Sequence, residues 1–304
     1  MAKYKEYLNS IGMPIDYCAT EINCELCGGA SYVPLRETAR INETSRALLP
    51  VVICKSCGFI YQLPRFSADF YKEYYLKKYR NIISGTNVPS AGFLDDQIER
   101  GRYLYESLTS YFSKTGNLLD VGSSAGGLMV PFKENGWHVL GVDPDESYVK
   151  HGQEIYNIEI YCLSAEEMKL KEKNYDLIII NGSLEHVFDP NAVLSLCSKS
   201  AKSGSLLLLE GRGLAQARQL KTFGHNHRRY LTINTAEIFM RKHGWEPILS
   251  TNEELCGPTR PESIYVLGKY TGKKNNTLDI PINKDDIKSL IEKTITMLDK
   301  AGVH

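Results

Sequence analysis

The chain has 304 residues, of which 42% are hydrophobic and 24% charged, and Lys plus Arg balance Asp plus Glu at 36 each. These values are those of a folded globular protein; they exclude a disordered chain and give no bulk charge that would seek a polyanion. No apolar run approaches the ~20 residues that span a bilayer, and the opening Met-Ala-Lys-Tyr-Lys-Glu-Tyr lacks the apolar centre of a signal peptide, so a cytoplasmic location is expected.

Residues 1–20 read as a polar N-terminal arm. Residues 21–66 carry Cys24-Glu-Leu-Cys27 and Cys54-Lys-Ser-Cys57, two C-x-x-C pairs each followed by a glycine, Gly28 and Gly58. Four soft thiolates in two tight turns suit a tetrahedral Zn²⁺ with bonds of ~2.3 Å, closed and therefore structural. A segment this short buries little core alone, and a metal would supply the missing folding free energy. The competing readings are two disulfides, which a reducing compartment disfavours, and two redox dithiols. Cys18 falls outside the spacing, and Cys162 and Cys197 sit in apolar segments as small buried hydrophobes. Residues 1–80 hold eleven Lys or Arg against eight Asp or Glu, a net +3, too weak for a nucleic-acid footprint.

Residues 67–116 read as a helical connector: a Tyr-rich helix over 67–82, a Ser/Gly/Asn/Pro loop over 81–92 and an amphipathic helix over 93–113. Residues 117–270 read as an α/β core. An apolar strand from Asn117 ends in Asp120 and opens into Gly122-Ser-Ser-Ala-Gly126; a helix follows, then the strand Val139-Leu-Gly-Val142, which stops at Asp143 and Pro144. The chain must turn sharply at Gly122 and admit a ligand at Gly126, which residues without a Cβ do without strain. An acidic strand end suits the two hydroxyls of a ribose. The pattern departs from the dinucleotide G-x-G-x-x-G because position 124 is Ser, so a cofactor with a ribose and no phosphate fits better.

Further strands are expected at 158–162, 175–180, 205–210, 245–250 and 263–269, with a helix over 235–244. Residues 271–304 read as a polar linker and a C-terminal helix over 285–299. The apolar stripe of that helix is ordinary core patterning, with a homodimer contact as the alternative.

In open α/β sheets ligands bind beyond the C-terminal strand ends. The fourth strand brings Asn181, Gly182, Glu185 and His186 there, and the fifth brings Glu210 and Arg212. The insert 211–232 adds Arg218, Lys221, His225, His227, Arg228, Arg229 and Tyr230. A histidine near neutrality suits removal of a hydroxyl proton. Arg228 and Arg229, with Arg218 and Lys221, are candidates to hold a diphosphate or another anion.

Taken together, residues 95–270 resemble the class I S-adenosylmethionine-dependent methyltransferases. The resemblance rests on Asp120-Val-Gly122-Ser-Ser-Ala-Gly126, on Ser164-Ala165-Glu166 after the third strand, and on Leu184-Glu-His-Val-Phe-Asp-Pro190 after the fourth. It implies a Rossmann-like core, with S-adenosylmethionine held by Asp120, Gly122, Ser124, Gly126, Asp143, Pro144, Ala165, Glu166, Asn181 and Gly182. The knuckle Cys54-Lys-Ser-Cys-Gly-Phe-Ile-Tyr-Gln-Leu-Pro64 and the Tyr-rich helix resemble the N-terminal segment of bacterial sugar and surface-polysaccharide methyltransferases. In the sugar C-methyltransferases a Tyr-His-Glu-His run carries the base at its last His. Here the run is Gly224-His-Asn-His227, so two partners of carbanion chemistry are replaced.

The expectation is methyl transfer to a sugar hydroxyl, nucleotide-linked or glycan-borne. His227 is the expected base, with His225 and Glu185 as further catalytic candidates. The alternative is another small molecule: C- or N-methylation, or a lipid, quinone or antibiotic scaffold. Nucleic acid is a weaker third choice, and a non-catalytic scaffold a fourth.

Overall fold

The computed structural model describes residues 4–42, 44–212, 223–261, 263–274 and 284–300. The N-terminal third holds α1 (Lys5–Ser10), β1 (Ala19–Thr20), β2 (Tyr32–Arg40), β3 (Arg46–Cys54), β4 (Ile60–Gln62), β5 (Arg65–Phe66), α2 (Ala68–Lys77), α3 (Tyr79–Ser84) and α4 (Ala91–Leu108). The first twenty residues are not a polar arm. Tyr7, Leu8 and Ile11 recur at helical spacing and, with Met13, are buried against Phe66, Phe70 and Tyr74. The charges of Lys5 and Glu6 on the opposite face conceal that stripe in the sequence.

The Tyr-rich segment is two helices. Ser67 caps α2 by accepting from the Phe70 amide at 3.3 Å, which is worth about 1 kcal/mol. The chain then leaves helical geometry at Lys78 (φ −122°, ψ −35°) and restarts as α3. That break redirects Tyr79 and Arg80 toward the strand ends of the core.

The core follows the expected order: β6 (Asn117–Val121), α5 (Val130–Glu134), β7 (His138–Asp143), α6 (Glu146–Tyr156), β8 (Glu159–Cys162), β9 (Tyr175–Asn181), α7 (Pro190–Ser200), β10 (Ala201–Arg212), β11 (Arg229–Tyr230), α8 (Ile233–Lys242), β12 (Trp245–Thr251) and β13 (Ser263–Tyr270). Seven strands pair as β12-β13-β10-β9-β6-β7-β8, with β13 antiparallel to both neighbours and β6 to β10 parallel. Leu118, Leu119, Leu177, Ile178, Ile179 and Ile180 are all buried. Both faces of these strands are therefore covered, the usual state of a parallel sheet. Leu119, Ile178 and Ile180 pack on one side and Leu118, Leu177 and Ile179 on the other.

The cysteine module is built onto one of these faces. Cys24, Leu26, Phe59 and Tyr61 share a core with Val193, Leu194 and Phe239 of α7 and α8. Its sheet runs β11-β4-β3-β2, so its last strand comes from the insert after β10. Tyr61 pairs with Arg229 and Ile60 with Tyr230. The other side of this sheet is covered by α9 (Lys284–Lys300), whose Leu290, Ile291 and Leu298 meet Val51, Ile53 and Ile60. The stripe on the C-terminal helix is thus used within the chain. Among the described residues no helix is long and apolar enough to cross a membrane.

Candidate active site

A cavity of about 1090 Å³ opens at the C-terminal ends of β6, β7 and β9. Its volume lies at or above the upper end for small-molecule pockets, ~300–1,000 Å³.

One end is made by a single turn. Gly122 has φ +81°, and a Cβ there would stand 2.3 Å from the Ser183 Cβ. Ser124 also takes positive φ, at 53°. Its amide donates to Asp143 Oδ2 at 2.8 Å, while Asp143 Oδ1 accepts the Asp145 amide at 2.9 Å. Asp143 therefore ties two turns together and keeps lone pairs for a ligand. Asp120 is buried with Oδ1 unpaired. Burial first, and then the charge of Asp143, push Asp120 up to about 8, so it is protonated at neutral pH and spares the site a second negative charge.

Asp120, Gly122, Ser124, Asp143, Pro144, Ala165, Glu166, Asn181 and Gly182 all line the cavity. Gly126 does not. It holds φ +78°, and a Cβ there would press on Ile160 and Met129, so this glycine serves packing beneath the turn. Glu166 Oε1 accepts the amides of Phe188 at 2.6 Å and Asp189 at 3.1 Å.

Arg80 roofs this end. Its Nε donates to Asp145 Oδ2 at 2.8 Å and its Nη2 to Ser124 Oγ at 3.1 Å, with the guanidinium 3.7 Å above the Tyr148 ring. Nothing in the sequence around Arg80 singles it out.

The other end combines His186, His227, Tyr75, Tyr79, Arg212, Arg228 and Arg260. The rings of His186 and His227 are 4.8 Å apart. His186 Nδ1 meets the Asn226 carbonyl and the Tyr75 hydroxyl, each at 3.0 Å. Since a carbonyl only accepts, this contact assigns the proton to Nδ1. Burial, then Arg212, His225 and Arg260, lower His227 to about 3, so its imidazole is neutral at pH 7 and a weaker base than an ordinary histidine.

His225 lies elsewhere. It is buried outside the cavity, with Nδ1 against Tyr7 Oη and Nε2 against Tyr74 Oη, each at 3.2 Å. It ties α1 and α2 to the insert. Glu185 likewise does not line the cavity. Its Oε1 accepts the Arg212 amide at 3.0 Å, and burial, then Glu210, raise its pKa.

Arg229 does not face the cavity either. It is fully buried and ion-paired with Glu25 at 2.8 Å, while Arg65 pairs with the same carboxylate at 2.9 Å. Arg229 also donates to the carbonyls of Val187 at 2.7 Å and Phe188 at 3.2 Å. Glu25, inside the first C-x-x-C, thus fixes the loop that carries His186. Arg218 and Lys221 lie outside the described residues.

The four cysteine sulfurs lie within 4.8 Å of one another, with Cys24–Cys57 and Cys27–Cys54 at 3.6 Å. Disulfide sulfurs stand ~2.05 Å apart, so these are four separate thiols. The Gly29 amide points at Cys27 Sγ and the Ser56 amide at Cys54 Sγ, each at 3.4 Å.

Residues 119–209 match the protein family described as methyltransferase domain. The chain carries a class I methyltransferase domain. A ubiquinone biosynthesis O-methyltransferase of Nitrobacter winogradskyi is 30% identical over 146 residues, 45% of this chain and 52% of that protein. The chain spans about half the length of the curated relatives it matches. Two solved structures share the Rossmann-like fold. One is a protein of Pyrococcus horikoshii (TM-score 0.52, 16% identity, 64% of this chain and 99% of that one). The other is the 1,6-didemethyltoxoflavin-N1-methyltransferase of Burkholderia thailandensis with bound S-adenosylhomocysteine (TM-score 0.50, 14% identity, 79% and 100%).

Proposed function

We propose that the protein transfers the methyl group of S-adenosylmethionine to an oxygen of a small ring-bearing molecule. One observation carries this reading: a single cavity joins the Asp120–Asp143 turn to the neutral imidazole of His227. The residues at the turn suit the cofactor. Gly122 lines the cavity at a positive φ, Asp120 Oδ1 is buried and unpaired, and Asp143 ends the second strand. Asp143 would hold the ribose hydroxyls and Ala165 and Glu166 would flank the base. When bound, the cofactor supplies a methyl group on a sulfonium sulfur.

The chain's own contribution is positioning and proton removal. His227 takes the acceptor's hydroxyl proton as the oxygen gains its methyl group. His186, fixed by Asn226 and Tyr75, stands beside it. Tyr75, Tyr79 and Phe188 give the acceptor flat apolar walls. The name of the relatives favours small-molecule O-methylation over the sugar hydroxyl expected from the cysteine module. A sugar remains the second reading because Arg40, at the end of that module's β2, also reaches the cavity.

We read the four cysteines as a structural Zn²⁺ site. A tetrahedron with ~2.3 Å bonds has sulfurs ~3.8 Å apart, close to the 3.6 Å pairs seen here.

The test is calorimetric titration with S-adenosylhomocysteine, followed by transfer of labelled methyl to catechol-type and sugar acceptors. Micromolar binding and labelled catechol ether support the reading. Absence of binding by folded protein rejects it, and label on sugars alone moves the acceptor to the second reading.

A further inference from the structure

Five arginines near the cavity fall into two groups. Arg65 and Arg229 share the Glu25 carboxylate. Arg212, Arg228 and Arg260 line the cavity, and among the described residues none of them has a carboxylate within ion-pair distance. Arg228 is only 1% exposed. Its guanidinium lies 3.7 Å over the Tyr71 ring and its Nε donates to the Val187 carbonyl at 3.1 Å, yet Nη1 has no partner. Arg260 reaches the tip of β9: its Nη2 lies 3.2 Å from where a Cβ on Gly182 would stand, and its Nε is buried and unpaired. Arg212 and Arg260 repel each other, and both repel a charge on His227.

A buried guanidinium without a partner is costly. Arg228 Nη1 and Arg260 Nε are such unpartnered groups, and with Arg212 they give the cavity lining a positive character. Two acids stand behind that lining. Glu210 is fully buried with both oxygens unpaired, and Glu185 leaves Oε2 unpaired. They attract Arg260 from beyond ion-pair distance, holding it charged without covering its face to the cavity. A neutral acceptor would leave the arginines unmatched. An oxyanion would meet planar N–H pairs from more than one side, the geometry arginine offers to phosphate and carboxylate.

We infer that the acceptor carries an anionic group, phosphate or carboxylate, and that Arg212, Arg228 and Arg260 bind it beside His227. This rests on the proposed methyltransferase reading, since it assigns the site to the acceptor. It also gives the anion a second effect: negative charge next to His227 offsets the arginines that suppress its basicity, so the imidazole becomes a stronger base when the acceptor is bound.

The experiment titrates protein saturated with S-adenosylhomocysteine with pyrophosphate and, separately, with benzoate, at constant ionic strength. One of the two is expected to bind, and which one names the anion as phosphate or carboxylate. Arg228→Gln and Arg212→Gln are each expected to weaken it about tenfold or more, with S-adenosylhomocysteine affinity unchanged as the check on folding. If neither probe binds, or if folded variants bind it as tightly as the parent, the inference is overturned. If S-adenosylhomocysteine itself does not bind while an arginine-dependent anion does, the methyltransferase reading fails and the anion site stands.

Discussion

The two ends of the cavity are built in different ways. The cofactor end comes mainly from residues 120–145, with Ala165, Glu166, Asn181 and Gly182 beside them, and is held largely by backbone: a glycine turn and two amides on Asp143, with Arg80 tied across it. The acceptor end draws Tyr75 and Tyr79 from the connector, His186 from the loop after β9, His227 and Arg228 from the insert, and Arg260 from the turn before β13. Its frame is set from the cysteine module, through Glu25, Arg229 and the carbonyls of Val187 and Phe188. A local end tolerates damage elsewhere; a composite end inherits the stability of everything that frames it.

The largest effect separating the two should come from Cys57→Ser. If the four cysteines hold the proposed structural zinc, removing one thiolate puts on the order of 10 kcal/mol of folding free energy at stake. Metal analysis and thermal melting are expected to show a zinc-free, largely unfolded N-terminal third. A variant that melts like the parent would detach the module from the acceptor end.

His227→Ala acts on the acceptor end alone. Turnover at saturating substrate should fall roughly 10²–10⁴-fold, with S-adenosylhomocysteine affinity unchanged by calorimetry. Near-normal turnover would remove its role as base.

Glu25→Gln leaves Arg65 and Arg229 buried without their counter-charge, a change that typically costs about 3–5 kcal/mol. Acid does the same to the parent chain. Burial alone would raise Glu25, but Arg229 and Arg65 outweigh it and hold its pKa at about 2. The ion pair therefore stabilises fully above the ordinary value of 4.5 and is lost as pH falls from there toward 2. Melting curves across that window should show the loss, and Glu25→Gln should flatten it.

The smallest of these effects, and the cleanest on the cofactor end, is expected from Gly122→Val. A side chain there meets Ser183 and strains a positive φ. The reshaped turn is expected to weaken S-adenosylhomocysteine binding about a hundredfold, about 3 kcal/mol of binding free energy. Unaltered affinity would move the cofactor away from this turn.

The same contrast explains what could be read in the sequence. β6 to β10, the Gly122 turn and Asp143 are visible because each depends on a few neighbouring residues. Gly126 carries a family pattern, but its contacts with Ile160 and Met129 belong to the third dimension. His225 and Arg229 look like site residues because of their neighbours in the chain. One is claimed by two tyrosine hydroxyls and the other by a glutamate 204 residues earlier. Arg80 and Arg260 carry no local signal, since each acquires its place from a turn that redirects the backbone. The helical stripe of α1 was available in Tyr7, Leu8 and Ile11, masked by the charges around it.

The two-residue strand Arg229–Tyr230 closes the cysteine module's sheet from more than 160 residues downstream of β4. During synthesis the module's first three strands emerge long before this fourth, and the intervening segment supplies most of the core. The β4 edge thus stays open through that interval, an unpaired rim that could recruit another nascent chain. Closing it completes the module's sheet and sets His227 in place in one event, so a chain truncated before residue 227 would lack both the finished sheet and the proposed base.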